Sequence, residues 1–302
     1  MKIKLLEVPL DYGASRRGVN MGPTALRLAG LREALQGLGH TVEEDPRPFD
    51  VNIQEHEAES NPHLKYLPAI TRVCRTLAER VEESLDQDAF PLVMGGDHSI
   101  AIGTLAGASS HCRKKNLSLG VLWIDAHGDF NTPETSPSGN IHGMPLAASV
   151  GLGHHTLTNL HGDFQKVAAE NVVILGLRDL DPGEKQNLKD EEIKTFTMAD
   201  VDRHGISVVV QRALEYLTER VDFLHVSFDV DSLDPEFAPG VGTPVRGGLQ
   251  YREAHLLMEL LCESHLVRSL EVVEVNPILD IRNQTAVVAV EMVASLLGDT
   301  IL

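Results

Sequence analysis

The sequence predicts an α/β fold, a mostly parallel sheet of about eight strands with helices on both faces. Three observations predict it. Apolar runs of strand length alternate with longer stretches of helical periodicity along the chain. Several runs are apolar without interruption, as strands buried on both faces are. Three of the runs end in clusters of acid and histidine, which places polar chemistry at one edge of the predicted sheet.

Lys2–Val8 is the first strand. Gly22-Pro23 then opens a helix over Thr24–Leu38, with apolar residues at helical spacing and a stop at Gly39. Leu64–Leu85 is a longer amphipathic helix. Strand Leu92–Met94, helix Ile100–Cys112 and strand Leu119–Ile124 follow. After a loop rich in Gly, Pro and Ser come strand Val172–Leu175, a short helix, and a weak strand at Lys194–Thr197. Helix Ser207–Arg220, strand Phe223–Phe228, helix Tyr251–Glu263, strand Val267–Val273 and helix Thr285–Leu297 complete the series. No composition break, linker or repeat interrupts it, so residues 1–302 are expected to form a single domain.

The composition is that of a globular enzyme. Lys plus Arg number 26 against 44 Asp plus Glu, a formal net charge of −18. That balance disfavours nucleic acid, whose phosphates call for clustered Lys and Arg, and is compatible with a cationic substrate. No apolar run approaches the roughly 20 residues of a membrane span, and Met1-Lys2-Ile3-Lys4 leads into a strand rather than a signal peptide. Cys74, Cys112 and Cys262 lie far apart on helix-like stretches. They are expected to be free thiols in a reducing compartment, the cytoplasm.

The three clusters are Gly95-Gly96-Asp97-His98-Ser99, Asp125-Ala126-His127-Gly128-Asp129, and Asp229-Val230-Asp231-Ser232-Leu233-Asp234-Pro235. In extended chain alternate side chains share a face, so Asp125, His127 and Asp129 can turn to one locus, as can Asp229 and Asp231. Carboxylates and imidazoles packed this closely repel or mispair unless cations lie among them, and the charge of four aspartates balances two divalent ions. Oxygen-rich ligands without thiolate suit Mn²⁺ or Mg²⁺ better than structural Zn²⁺. Each cluster alone has a plainer reading. Asp-x-His-x-Asp is often a polar loop, and Asp97 or Ser99 could cap the helix after His98. Asp229-x-Asp231 opens like a calcium loop but fails that template at Leu233 and Asp234. The segment Gly13–Gly18 lacks the Gly-Lys-Ser/Thr ending of a phosphate loop and is read as a rigid turn.

GGDHS (95–99), DAHGD (125–129) and SFDVDSLDP (227–235) together resemble the three metal signatures of the ureohydrolases, the arginase family. The resemblance extends from GVNMGP (18–23) to EVNP (274–277). Segments 129–147, 176–184 and 242–248 resemble arginase loops more than agmatinase loops. The resemblance implies two Mn²⁺ ions, one held by His98, Asp125, Asp129 and Asp229, the other by Asp125, His127, Asp229 and Asp231, with Asp125 and Asp229 bridging. It implies hydrolysis of L-arginine to L-ornithine and urea by a hydroxide held between the ions. Asp129 would then move a proton to the leaving amine, and His142 would shuttle protons at the mouth. Asn131 and Ser138 would contact the substrate α-carboxylate, Asp181 the α-amino group, and Glu274 the guanidinium, with Thr243 close by. Residue chemistry agrees: a guanidinium needs a carboxylate, and a carboxylate needs donors. Glu184, three residues past Asp181, is open between a role behind the site, a helix cap and plain surface. The resemblance also implies a homo-oligomer, a trimer or hexamer. The alternatives are agmatinase or another ureohydrolase acting on a different guanidino substrate, and a metal-binding protein without catalysis.

Overall fold

The computed structural model describes residues 1–51 and 61–300. Eight strands form one sheet: β1 (Lys2–Glu7), β2 (Thr41–Glu44), β3 (Phe90–Met94), β4 (Leu119–Ile124), β5 (Val172–Leu177), β6 (Lys194–Thr197), β7 (Phe223–Asp229) and β8 (Val267–Val273). Their order is β2-β1-β3-β8-β7-β4-β5-β6, and every pairing is parallel. All carboxyl ends therefore meet one edge. β3, β4, β5 and β7 are buried at every position; the first three accordingly run apolar without alternation, whereas β7 sets His225, Ser227 and Asp229 between apolar residues.

Helices cover both faces. α1 (Gly22–Leu28), α2 (Leu31–Gly37), α8 (Met198–His204), α9 (Ile206–Thr218), α10 (Tyr251–Ser264) and α11 (Gln284–Leu296) pack on one. α3 (Leu67–Asp86), α4 (Ala101–Lys115), α5 (Pro145–Ser149), α6 (His155–Thr158) and α7 (Pro182–Asp190) pack on the other. Among the described residues no helix is long and apolar enough to cross a membrane. The three cysteines are free thiols.

Several elements differ from the sequence reading. The single helix expected over Thr24–Leu38 is two helices, broken at Gly30, whose φ of 89° is left-handed. β2 went unpredicted because it is a four-residue edge strand with only Val42 buried, too short and too charged to carry a strand pattern. α8 is nucleated by a Thr197/Asp200 capping box rather than by a long apolar stripe. Two short helices, α5 and α6, lie within the predicted loop.

Two glycines bring the strand ends into register with their neighbours. A Cβ on Gly96, just past β3, would sit 1.7 Å from the Leu10 carbonyl oxygen. Gly176, at φ 102°, occupies the irregularity between Leu175 and Leu177 and lies against the Asp125 backbone. Gly96→Ala should cost about 3 kcal/mol through backbone overlap, as read from the denaturation midpoint, because no side chain is there to yield.

Candidate metal centre and substrate cavity

The four central strands β3, β8, β7 and β4 are adjacent, so their outgoing turns crowd together. β3 delivers His98, β4 delivers Asp125, His127 and Asp129, β7 delivers Asp229 and Asp231, and β8 delivers Glu274. The turns are tied by their own aspartates: Asp125 Oδ1 accepts from the His127 amide at 2.7 Å, and Asp229 Oδ1 from the Asp231 amide at 2.8 Å. Asp97 does cap the turn at 98–100, accepting from the Ser99 amide at 3.0 Å. It also accepts from the Gly13 amide at 2.8 Å, so Gly13–Gly18 is a turn pinned over the site. Asp129 and Glu274 stand at φ 49° and 65°. Left-handed backbone is costly at non-glycine residues, and eight others among the described residues share it, so it marks tight turns here rather than the site alone.

Six side chains form two groups. His98 Nδ1 lies 3.2 Å from Asp125 Oδ2, 3.0 Å from Asp129 Oδ2 and 3.1 Å from Asp229 Oδ2. His127 Nδ1 lies 3.1 Å from Asp231 Oδ2 and 3.4 Å from Asp125 Oδ1. The potential ligand atoms of His98, Asp125 and Asp229 fall within 4.8 Å of one another, as do those of Asp125, His127 and Asp231. Asp125 thus offers one oxygen to each group. Asp229 keeps Oδ2 with His98, while its Oδ1 accepts from the Asp231 amide.

These residues fit divalent cations. His98 Nδ1 is buried with no hydrogen-bond partner, although three carboxylates surround it. The donors are oxygen and imidazole nitrogen, a hard set. Without cations the group compensates through protons. Burial and the Asp125 charge push the Asp129 carboxyl up to about 6. Burial and the neighbouring Asp231 and Asp125 charges push Asp229 well up. Burial opposes charge on His98 and His127 too, yet the carboxylates outweigh it and hold both imidazoles well above their usual range.

Beside this floor lies a cavity of about 120 Å³, lined by Asp129, Asn131, Ser138, His142, Asp181, Thr243 and Glu274 among others. It adjoins an outer vestibule of about 460 Å³ that shares His142, Thr243 and Glu274 and includes Arg16. Asn131 Nδ2 donates to Asp181 Oδ2 at 3.0 Å, and Asn131 Oδ1 accepts from Thr135 Oγ1 at 3.0 Å. Ser138 Oγ accepts from the Asn140 amide at 3.2 Å. Thr243 Oγ1 donates to Asp231 Oδ2 at 3.0 Å. Glu274 Oε1 accepts from the His98 amide at 3.0 Å and lies 3.1 Å from His142 Nδ1. Burial works against a charged His142, but the Glu274 carboxylate raises its pKa to about 9.

Other residues serve the site, and all but Glu184 are outside those singled out in the sequence. Trp123 stacks on His98 at 4.1 Å between ring centroids, and its Nε1 donates to Asp125 Oδ2 at 2.9 Å. Ser227 Oγ lies 2.7 Å from His98 Nε2. Trp123 and Ser227 each stand two residues before a ligating-type aspartate, so strand alternation was the available signal. Arg178 holds the loop after β7 through backbone oxygens, among them Asp231 O at 2.6 Å and Val245 O at 2.9 Å. Glu184 is buried, not plain surface. It forms the capping box with Asp181, accepts from the Phe130 amide at 2.9 Å, and is pushed by burial to about 7.

The arginase-family profile matches residues 1–298. The arginase of Bacillus caldovelox is 50% identical over 301 residues, covering 99% of each chain. That of Bacillus subtilis strain 168 is 50% identical over 300 residues, again covering 99% of each. The crystal structure of arginase from Bacillus cereus superposes with a TM-score of 0.92 at 48% identity, covering 100% of both chains. A parallel eight-stranded sheet, acid and histidine clusters at its carboxyl edge and end-to-end similarity agree: the chain belongs to the arginase family.

Proposed function

We propose that the chain is a manganese-dependent arginase that hydrolyses L-arginine to L-ornithine and urea, with two Mn²⁺ per subunit. One observation carries the reading: a bare imidazole nitrogen among buried carboxylates, at the floor of a cavity whose wall carries donors for a carboxylate and an acid for an ammonium. His98, Asp125, Asp129 and Asp229 would hold one ion, and Asp125, His127, Asp229 and Asp231 the other. When bound, the ions supply Lewis acidity and bring the pKa of water toward neutrality.

The remaining chemistry belongs to the chain. Glu274 presents a buried carboxylate to the guanidinium, which stays protonated at any working pH. The bond between Asn131 and Asp181 sets a donor beside an acceptor, the pattern an α-carboxylate and α-ammonium need. Ser138 supplies a second donor, and Thr243, through Asp231, steadies the wall near the guanidinium. Asp129, which lines the cavity, would pass a proton to the leaving amine. His142, bonded to Glu274 and shared between cavity and vestibule, can exchange that proton with solvent.

We read residues 1–302 as one catalytic domain, supported by the one sheet and the match over residues 1–298, working in the cytoplasm, which the free thiols suit; a homo-oligomer is what the family resemblance implies. Agmatine lacks the α-carboxylate, so Asn131 separates the two substrates. Asn131→Ala should lower kcat/KM for L-arginine roughly 10- to 100-fold, the loss of a hydrogen bond to a charged group. Any agmatine turnover should stay within about threefold. Parallel urea assays read both, and equal loss on the two substrates contradicts the assignment.

A further inference from the structure

The metal centre rests on a line of buried polar side chains that the proposed chemistry leaves unused. On β7, His225, Ser227 and Asp229 alternate along one face. On β8 their register partners are Ser269, Glu271 and Val273. His225, Ser227, Ser269 and Glu271 are wholly excluded from solvent. His225 Nδ1 lies 2.8 Å from Ser269 Oγ, and its Nε2 lies 3.4 Å from Glu271 Oε1. Ser227 Oγ donates to Glu271 Oε1 at 2.8 Å, and the same oxygen lies 2.7 Å from His98 Nε2.

Hydrogen counting fixes the polarity. An ionised carboxylate only accepts, so the single Ser227 hydrogen goes to Glu271. Ser227 Oγ can then only accept from His98, which requires the hydrogen on Nε2; in the neutral ring that a cation would bind, Nδ1 is then the lone pair facing the carboxylates. Burial works against the charged form of Glu271, but the His225 imidazole, its Nε2 3.4 Å away, holds the carboxyl below the usual range. The Trp123 stack fixes the plane of the His98 ring but does not distinguish its two nitrogens. As core packing alone, a buried acid beside a histidine is a poor choice, since apolar residues of similar volume avoid the desolvation.

We propose that Glu271 is a positioning residue of the metal centre, acting through Ser227 to hold His98 as its Nε2–H form with Nδ1 turned toward Asp125, Asp129 and Asp229. Ring orientation by an outer carboxylate is a general device for metal-binding histidines. Here the acid lies one strand away and works through a hydroxyl. The inference rests on the two-ion reading above.

The test is Mn²⁺ titration, with free Mn²⁺ followed by electron paramagnetic resonance, on wild type, Ser227→Ala, Glu271→Gln and the double variant. Glutamine keeps the volume but can donate as well as accept, so the polarity is no longer imposed. Each single variant should weaken one of the two ions about 10- to 100-fold and leave the other within about threefold. The double variant should be no weaker than the worse single, because both cut one chain. Wild-type affinities in folded variants, equal weakening of both ions, or additive losses would overturn the role of Glu271. If Glu271→Gln does not fold, Ser227→Ala alone decides between one weakened ion and none. Failure of the wild type to bind a pair of ions would instead remove the two-ion reading, and the inference with it.

Discussion

Asp125→Asn is expected to lose both metal ions and to lower urea release about 10³-fold or more, an effect of several kcal/mol. Among the described residues Asp125 is the member common to both candidate ligand groups. Its two oxygens are also both engaged by donors, Oδ2 by Trp123 Nε1 at 2.9 Å and Oδ1 by the His127 amide at 2.7 Å. An asparagine has one oxygen and one NH₂. Whichever way it turns, its amino group meets a donor, and the centre loses a negative charge. The isosteric change keeps the core filled, so the fold should persist. Metal content after dialysis, measured beside the urea rate, checks this. Retention of two ions with activity within tenfold of wild type contradicts the shared role.

Glu274→Gln should act differently. Glu274 Oε1 is occupied by the His98 amide and His142, which leaves Oε2 for a substrate cation. Removing the charge opposite a guanidinium should cost about 3 kcal/mol, on the order of 10²-fold in kcat/KM. The ions should stay. Because the Glu274 carboxylate raises the His142 pKa, the variant should also bring that pKa down from about 9, visible as a shifted alkaline limb in the rate profile. Loss of metal in Glu274→Gln would mean that it supports the ions rather than the substrate.

The contrast between these residues marks what the sequence made legible. Asp125, His127, Asp229 and Asp231 were readable because they end or follow strands buried on both faces, apolar throughout in β4 and largely so in β7, and acids at such ends stand out. In a parallel sheet, ends of strands are necessarily one edge. Neither the strand order nor the register was readable, because pairing between distant segments leaves no local pattern. Glu271 therefore looked like an ordinary strand residue until β7 and β8 set it across from Ser227. The left-handed backbone at Asp129 and Glu274 was equally hidden, since neither residue type announces it. Gly30 was the reverse case: the glycine was visible, but helical periodicity on both sides masked the break.

The most direct test of the central claim is urea and ornithine release by the Mn²⁺-loaded protein, with L-arginine and agmatine side by side and a chelated sample as control. The account predicts urea and ornithine in equal amounts from L-arginine, far slower release from agmatine, and loss on chelation that Mn²⁺ restores. Turnover of agmatine alone, or silence toward L-arginine with both ions bound, would contradict it.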